Sequence, residues 1–334
     1  MGYGPHVARL NKNENPYGPS PRAIEAITRG LTEANRYVHS LQLRQALAQH
    51  HGVEVDMIRL GTGSGEILRV IPIAMMRKGG DVVSTRQTYR ATPGVAEQLG
   101  ATVRWVDLLP DHSYDLDGML AAVSWHTKIF YLVNPNNPTG STASYAELRR
   151  IADALPKRVL FVIDEAYSDF LPTGERTGID LLKEGYDNVF VTRTFSKAHG
   201  LAGLRVGYGV GKPEIVKQIS PFMMTATNTA AFFGALGALG DRAHVGQFVN
   251  QARRSREFYE ARLPALGFRY VVGHAPLIMV ELGPRVQSFV DQARAAGVYV
   301  RHGKSWEMPE HVRISYGLDG HNQAVVAALQ RLAA

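Results

Sequence analysis

The 334-residue chain contains no cysteine. Disulfides, thiolate nucleophiles and cysteine-ligated zinc are excluded; a reducing cytoplasm is the default setting, and zero cysteine suits the periplasm equally. No apolar run approaches the ~20 residues that a membrane-crossing helix needs, so no membrane association is expected. The opening MGYGPHVARLNKNENPYG has no apolar core of a secretory leader, which makes the cytoplasm the expected location. Charge is not gathered into blocks. The net charge is +7, from 37 Lys and Arg against 30 Asp and Glu, but the basic residues are scattered. That describes a solvated basic surface, or a basic site for small anions, rather than a nucleic-acid track. The twelve histidines are equally dispersed. No HExxH occurs, and adjacent His50 and His51 on a helix cannot face one ion, so no metal site is expected. Repeats and low-complexity segments are absent as well.

What is present is an alternation of short β-rich runs and amphipathic helices. Ser20 reads as an N-cap and Pro21 as the first residue of a helix through RAIEAITRGL. LQLRQALAQHHG reads as a second helix closed by Gly52. MIRLGTGSGEILRVIPIAMM reads as strand, glycine turn and helix. DVVSTRQTY, TVRWVDL, KIFYLVNPNN, VLFVIDEAY and NVFVTRTFSK each start as a buried-strand candidate and end in polar residues. The pattern predicts an α/β fold with a mostly parallel central sheet covered by helices on both faces. Beyond it, AHVGQFVNQARRSREFYEARLPALG reads as a long charged helix, LIMVEL and VYVRHG as short strands, and HNQAVVAALQRLAA as a closing helix. That tail predicts a separate, smaller α+β unit.

Ligands of open α/β sheets gather at the carboxyl ends of the strands, and here those ends are polar. GTGSGE (Gly61–Glu66) is a glycine turn entering a helix, a phosphate-binding arrangement. It also reads as a plain turn, and its third glycine falls one place early for a dinucleotide fingerprint. NPNNPTG follows Val133 and reads either as a rigid turn or as a platform that presents the Asn137 amide. Asp164 ends the apolar run VLFVI, where a carboxylate is costly without compensation. It is either a structural ion pair, with Arg193 as the candidate, or the partner of a protonated heterocyclic nitrogen. Lys197, in TFSKAHGLAGLRVGY, is either a surface lysine or an amine in a partly desolvated cleft with a lowered pKa. The second choice suits pyridoxal phosphate, whose aldehyde condenses with a lysine while an acid keeps the ring nitrogen protonated. Ser196 and Arg205 then become phosphate ligands.

NENPYGPSP, NPNNPTG, DEAY and TFSKAHGLAGLRVGY stand in the order found in fold-type I pyridoxal-phosphate aminotransferases. The chain resembles that family from about Leu10 to about Ala333, most closely the histidinol-phosphate aminotransferase group. The resemblance implies roles for individual residues. Lys197 would be the Schiff-base lysine and the base that shuttles a proton, Asp164 the partner of the ring nitrogen, and Asn137 and Tyr167 the partners of the ring oxygen. Tyr89 would stack on the ring. Ser64, Gly65, Thr194, Ser196 and Arg205 would hold the phosphate, with Glu66 counted among the cofactor-binding residues. Tyr37 would reach the phosphate of a neighbouring subunit, which implies a homodimer with shared sites. Arg301 and Arg313 fall where the family places its substrate-anion arginines, and Tyr17 joins them on the substrate side. The implied organisation is an N-terminal segment (1–40) joining the small domain and the dimer seam, a large cofactor domain (41–225) and a small C-terminal α+β domain (226–334). The implied reaction moves an amino group between an amino acid or histidinol phosphate and a 2-oxo acid.

The chain departs from the family pattern at Val38, where a proline is usual, and at Pro276, where an asparagine is common. It departs again along PFMMTATNTAAFFGALGAL, and family members usually carry a longer N-terminal segment. These changes fall on the substrate side and the dimer seam, not on the cofactor residues. A decarboxylase for a phosphorylated amino acid, or an amino-acid oxidase, would use the same Lys, Asp and Arg. A ligand-sensing regulator would need a DNA-binding module, and no helix-turn-helix pattern or basic arm precedes the domain.

Overall fold

The computed structural model describes residues 7–333. Residues 1–6, the start of the expected N-terminal segment, and Ala334 lie outside the described residues. The strands in chain order are β1 (Ala8–Arg9), β2 (Ile58–Gly61), β3 (Asp81–Thr85), β4 (Thr102–Val106), β5 (Thr127–Val133), β6 (Leu160–Asp164) and β7 (Val189–Thr194). They continue with β8 (Gly207–Gly211), β9 (Tyr270–Val272), β10 (Leu277–Glu281), β11 (Val298–Tyr299), β12 (Arg301–His302) and β13 (His311–Ser315).

The large sheet has the order β2-β8-β7-β6-β5-β3-β4. Strands β3 to β7 are parallel, while β8 is antiparallel to both β2 and β7. β2 therefore runs with the parallel set and only β8 opposes it. Apolar cores cover both faces, as buried parallel strands require. The expectation of a mostly parallel sheet between helices holds.

Local signals place the helices. Ser20 caps Pro21–Gly30 by accepting the Ala23 N–H at 3.1 Å. Gly52 closes Leu41–His51 in the left-handed conformation (φ 63°). Two strand readings need correction. TVRWVDL is the sheet edge rather than a buried strand, because β4 pairs only with β3 and stays partly exposed. β8 was not anticipated, because its GYGVG lacks the β-branched residues that mark a strand. The glycines serve packing: a Cβ on Gly209 or Gly211 would lie 2.4 or 2.3 Å from the Phe190 ring.

A second sheet of order β12-β13-β10-β9 is antiparallel, and β1 pairs in parallel with β11. Its core contains Ala8 and Leu10 together with helix residues such as Phe248, Phe289 and Leu329. The chain leaves this sheet through residues 10–15 and crosses to the large sheet. Ser315 N–H donates to the Leu10 carbonyl at 2.8 Å, and Asn13 N–H donates to Ser315 Oγ at 2.9 Å. Helices Pro21–Gly30 and Thr229–Leu239 pack on the large-sheet core through Ala23, Ala231 and Ala235. Among the described residues no helix is long and apolar enough to cross a membrane.

Candidate active site

A cavity of about 420 Å³ opens at the carboxyl ends of the parallel strands, beneath the second sheet. Strand register builds its floor: Val133 pairs with Asp164, and Asp164 with Thr192. Asp164 is 2% exposed. It accepts a hydrogen bond from Thr192 Oγ1 at 3.0 Å. Burial pushes its pKa up to about 7, against the pull of Thr192, the Ala166 N–H and the charge of Lys197. No ion pair among the described residues includes it. The candidate ion pair to Arg193 is not formed. Successive strand residues face opposite sides of a sheet, and Arg193 instead binds Glu165, with Nη2 at 2.7 Å and Nε at 3.0 Å from Oε2.

Lys197 is half-buried in the same cavity. Its ammonium donates to the Lys12 carbonyl at 2.8 Å and lies 5.8 Å from the centre of the Tyr167 ring. Burial, followed by the charge of Arg313, lowers its pKa to about 8. Tyr89, Asn137 and Tyr167 line the space beside it. Asn13 Nδ2 donates to the Tyr167 hydroxyl at 2.8 Å, and burial raises the pKa of both tyrosines.

The far end of the cavity is an anion cradle. Ser64 and Gly65 open helix Ser64–Met75, whose first N–H groups have no partner inside the helix and carry its positive dipole end. Thr194, Ser196 and Arg205 face them. Arg205 is itself left-handed (φ 58°) and donates from Nη1 to the Ala202 carbonyl at 2.7 Å. Gly63 is left-handed too (φ 78°), and a Cβ there would sit 2.6 Å from Arg205 Nη2. Only a glycine lets that guanidinium lie against the turn.

Glu66 does not line the cavity and is corrected. Its Oε2 accepts from the Thr62 N–H and the Thr62 hydroxyl, each at 2.6 Å, and its Oε1 accepts from the Met224 N–H at 2.7 Å. It ties the turn at Thr62 to the Met224 backbone. Tyr17 does not line the cavity either. Its ring packs with the second core, and its hydroxyl donates to Gln251 Oε1 at 3.3 Å. Tyr37 is 91% exposed and not part of this chain's cavity.

Arg301 and Arg313 close the cavity from the second sheet. Arg313 is 2% exposed. It donates from Nη1 to Asn137 Oδ1 and from Nη2 to the Asn11 carbonyl, each at 2.6 Å, while its Nε has no partner. Burial lowers its pKa to about 10. Lys12, Asn13, Glu14 and Arg69 also line the cavity and were missed. Asn13 carried a signal, since asparagine tolerates the left-handed conformation it adopts here (φ 54°). Among the described residues no cluster of His, Asp and Glu is arranged to hold a metal ion.

One cavity thus joins an unpaired buried acid, an amine of lowered pKa and an anion cradle. A cationic ring nitrogen, an aldehyde and a phosphate require that donor set, so the residues present fit pyridoxal phosphate.

Residues 5–332 match the family described as aminotransferase class I and II. The chain is 35% identical to a histidinol-phosphate aminotransferase of Akkermansia muciniphila, with 99% of this chain and 92% of that protein covered. It is 36% identical to one of Ruegeria pomeroyi, with 97% and 91% covered. The crystal structure of a histidinol-phosphate aminotransferase from Sinorhizobium meliloti, in complex with pyridoxal-5'-phosphate, superposes with a TM-score of 0.90 at 27% identity, covering 98% of this chain and 90% of that one.

Proposed function

The chain belongs to the aminotransferase class I and II family, and on that footing we propose that it transfers the amino group of histidinol phosphate to a 2-oxo acid, using pyridoxal phosphate. The observation that carries this reading is the pairing, in one cavity, of Asp164 and Lys197, each displaced from its ordinary pKa. When bound, pyridoxal phosphate supplies an aldehyde that an amine condenses with and a cationic ring that withdraws electrons from the carbon bearing the amino group.

The chain supplies the rest. Asp164, 2% exposed, would hold the proton on the ring nitrogen with little screening by water. Lys197, neutral above about pH 8, would be the amine available to the cofactor's aldehyde. With the cofactor bound, Lys197 would be the base that moves a proton on and off the substrate's Cα. Asn137 and Tyr167 would hold the ring oxygen, and Tyr89 would cover the ring face. Ser64, Gly65, Thr194, Ser196 and Arg205 would hold the phosphate of the cofactor, and Arg301 and Arg313 the anionic end of the substrate. The names of the relatives support histidinol phosphate as the donor.

The proposal extends to a homodimer in the cytoplasm. The 91% exposure of Tyr37 supports a role for this residue on a second copy, at the phosphate of that copy's cofactor. The division proposed is 1–40, 41–225 and 226–334, but helix Thr229–Leu239 of the third segment packs on the large-sheet core and belongs with the large unit.

The test is a half-reaction. Mixed with histidinol phosphate, the holoenzyme loses its visible absorption band as the amino group passes to the cofactor. A band unchanged by histidinol phosphate but bleached by an aromatic amino acid overturns the donor. Borohydride reduction followed by peptide mapping places the label on Lys197, and label on another lysine overturns the site.

A further inference from the structure

β12 and β13 pair so that Arg301 stands directly opposite Arg313. Like charges opposite one another across an antiparallel pair repel. Neither arginine has a carboxylate within ion-pair distance among the described residues. The acid that the N-terminal segment brings to the cavity, Glu14, pairs with Arg9 at 2.7 Å. What the two guanidiniums share is an indole. The Arg301 guanidinium carbon lies over the Trp306 ring at 4.6 Å from its centre, and that of Arg313 at 4.8 Å. Trp306 is buried and fixed from behind by Met279, Met308 and Val271.

We propose that Trp306 is a positioning residue for substrate charge: it holds Arg301 and Arg313 together as one pair that selects a dianion over a monoanion. This rests on the reading of the two arginines as the substrate-anion site. The negative face of an indole attracts a cation within about 6 Å, more strongly when water is excluded. One buried ring serving two arginines offsets their repulsion and keeps the exposed Arg301 turned to the cavity. Arg313 needs less help, since Asn137 and the Asn11 carbonyl already fix it. Two adjacent guanidiniums without a counter-ion leave a charge deficit that a phosphate monoester, carrying about −1.5 to −2 at neutral pH, matches and a lone carboxylate does not. Without the indole, Arg301 turns to solvent, and Arg313 remains to bind monoanions.

The test uses the borohydride-reduced holoenzyme, whose cofactor cradle is filled and which cannot turn over. Inorganic phosphate and acetate are titrated into it by calorimetry at pH 8. Trp306→Leu weakens phosphate binding about tenfold and acetate binding less than twofold, and Trp306→Phe keeps phosphate within about threefold because a π face remains. Arg301→Gln reproduces Trp306→Leu, and the double variant is no weaker than either single one. Wild-type phosphate affinity in Trp306→Leu overturns the proposal, as do equal losses for both anions or additive losses in the double variant. If Trp306→Leu fails to fold, Trp306→Phe must keep the phosphate preference and Arg301→Gln must lose it, and any other pattern overturns the proposal. If reduction labels no lysine, the pyridoxal reading fails on its own, and the same titrations on the protein as isolated still decide the role of Trp306.

Discussion

Arg193 and Glu165 form a buried ion pair behind the sheet, with both Nη2 and Nε donating to one carboxylate oxygen. The other oxygen accepts the Gly178 N–H at 2.5 Å, and Arg193 Nη2 also donates to Thr177 Oγ1 at 3.0 Å. The pair holds the Arg193 guanidinium on the face of the sheet opposite to Asp164, whose carboxylate makes no ion pair among the described residues. Removing one partner strands a buried charge, which costs about 3–5 kcal/mol. Glu165→Ala should therefore lose stability of that order in urea unfolding. A loss below about 1 kcal/mol would show that water solvates Arg193 there.

Asp164 predicts the opposite pattern. Asp164→Asn removes a poorly solvated charge, and its amide can still accept from Thr192 Oγ1. Fold and cofactor content should persist while turnover falls by on the order of 10²–10³-fold, the usual cost of a lost electrostatic partner in a dry site. Single-turnover rates measure it, and near wild-type rates would remove Asp164 from the chemistry.

The same two groups shape the pH dependence of the cofactor-free protein. The pKa of folded Asp164 is raised from 3.8 to about 7, so between those values the native state holds more protons and stability falls as pH rises. The pKa of folded Lys197 is lowered from 10.5 to about 8, so between those values the unfolded state holds more protons and stability rises with pH. The contributions of these two groups are least favourable between about pH 7 and 8. From pH 5 to 7.5 the wild type should lose about 2–3 kcal/mol relative to Asp164→Asn. Parallel pH curves from denaturant titrations of the two proteins would contradict the displaced carboxyl.

Much of this was readable in advance where one residue type has one physical use. Ser20, Pro21 and Gly52 marked helix ends because capping and left-handed closure are local effects. The polar strand ends marked the cavity because parallel strands deliver their carboxyl ends to one edge. Three things were hidden, each decided by what lies across the chain. GYGVG is short of the β-branched residues of a strand, and its glycines gain their use only from the Phe190 ring packed against them. Arg193 and Asp164 look like partners until strand alternation sends them to opposite faces. Glu66 follows Gly65 in sequence, yet one step around a helix turns its carboxylate away to Thr62 and Met224.

Glu307 follows Trp306 and links the segment after β12 to the loop after β3. It sits in the left-handed conformation (φ 58°). Its carboxylate meets Arg90 Nη1 at 3.4 Å and Arg86 Nη1 at 3.7 Å, the two arginines that flank Tyr89. Arg90 is held in turn over the Trp105 ring, 4.5 Å from its centre. These pairs are partly exposed, so each contributes about 0–1 kcal/mol. Glu307→Gln should leave global stability within about 1 kcal/mol of the wild type. The effect should instead be local, because the bridge joins the strap around Trp306 to the turn that carries Tyr89. Backbone amides of residues 86–90 and 303–307 should exchange hydrogen roughly two- to fivefold faster, with β6 and β7 unchanged. Equal exchange in both proteins would show that packing alone holds Tyr89 over the cavity.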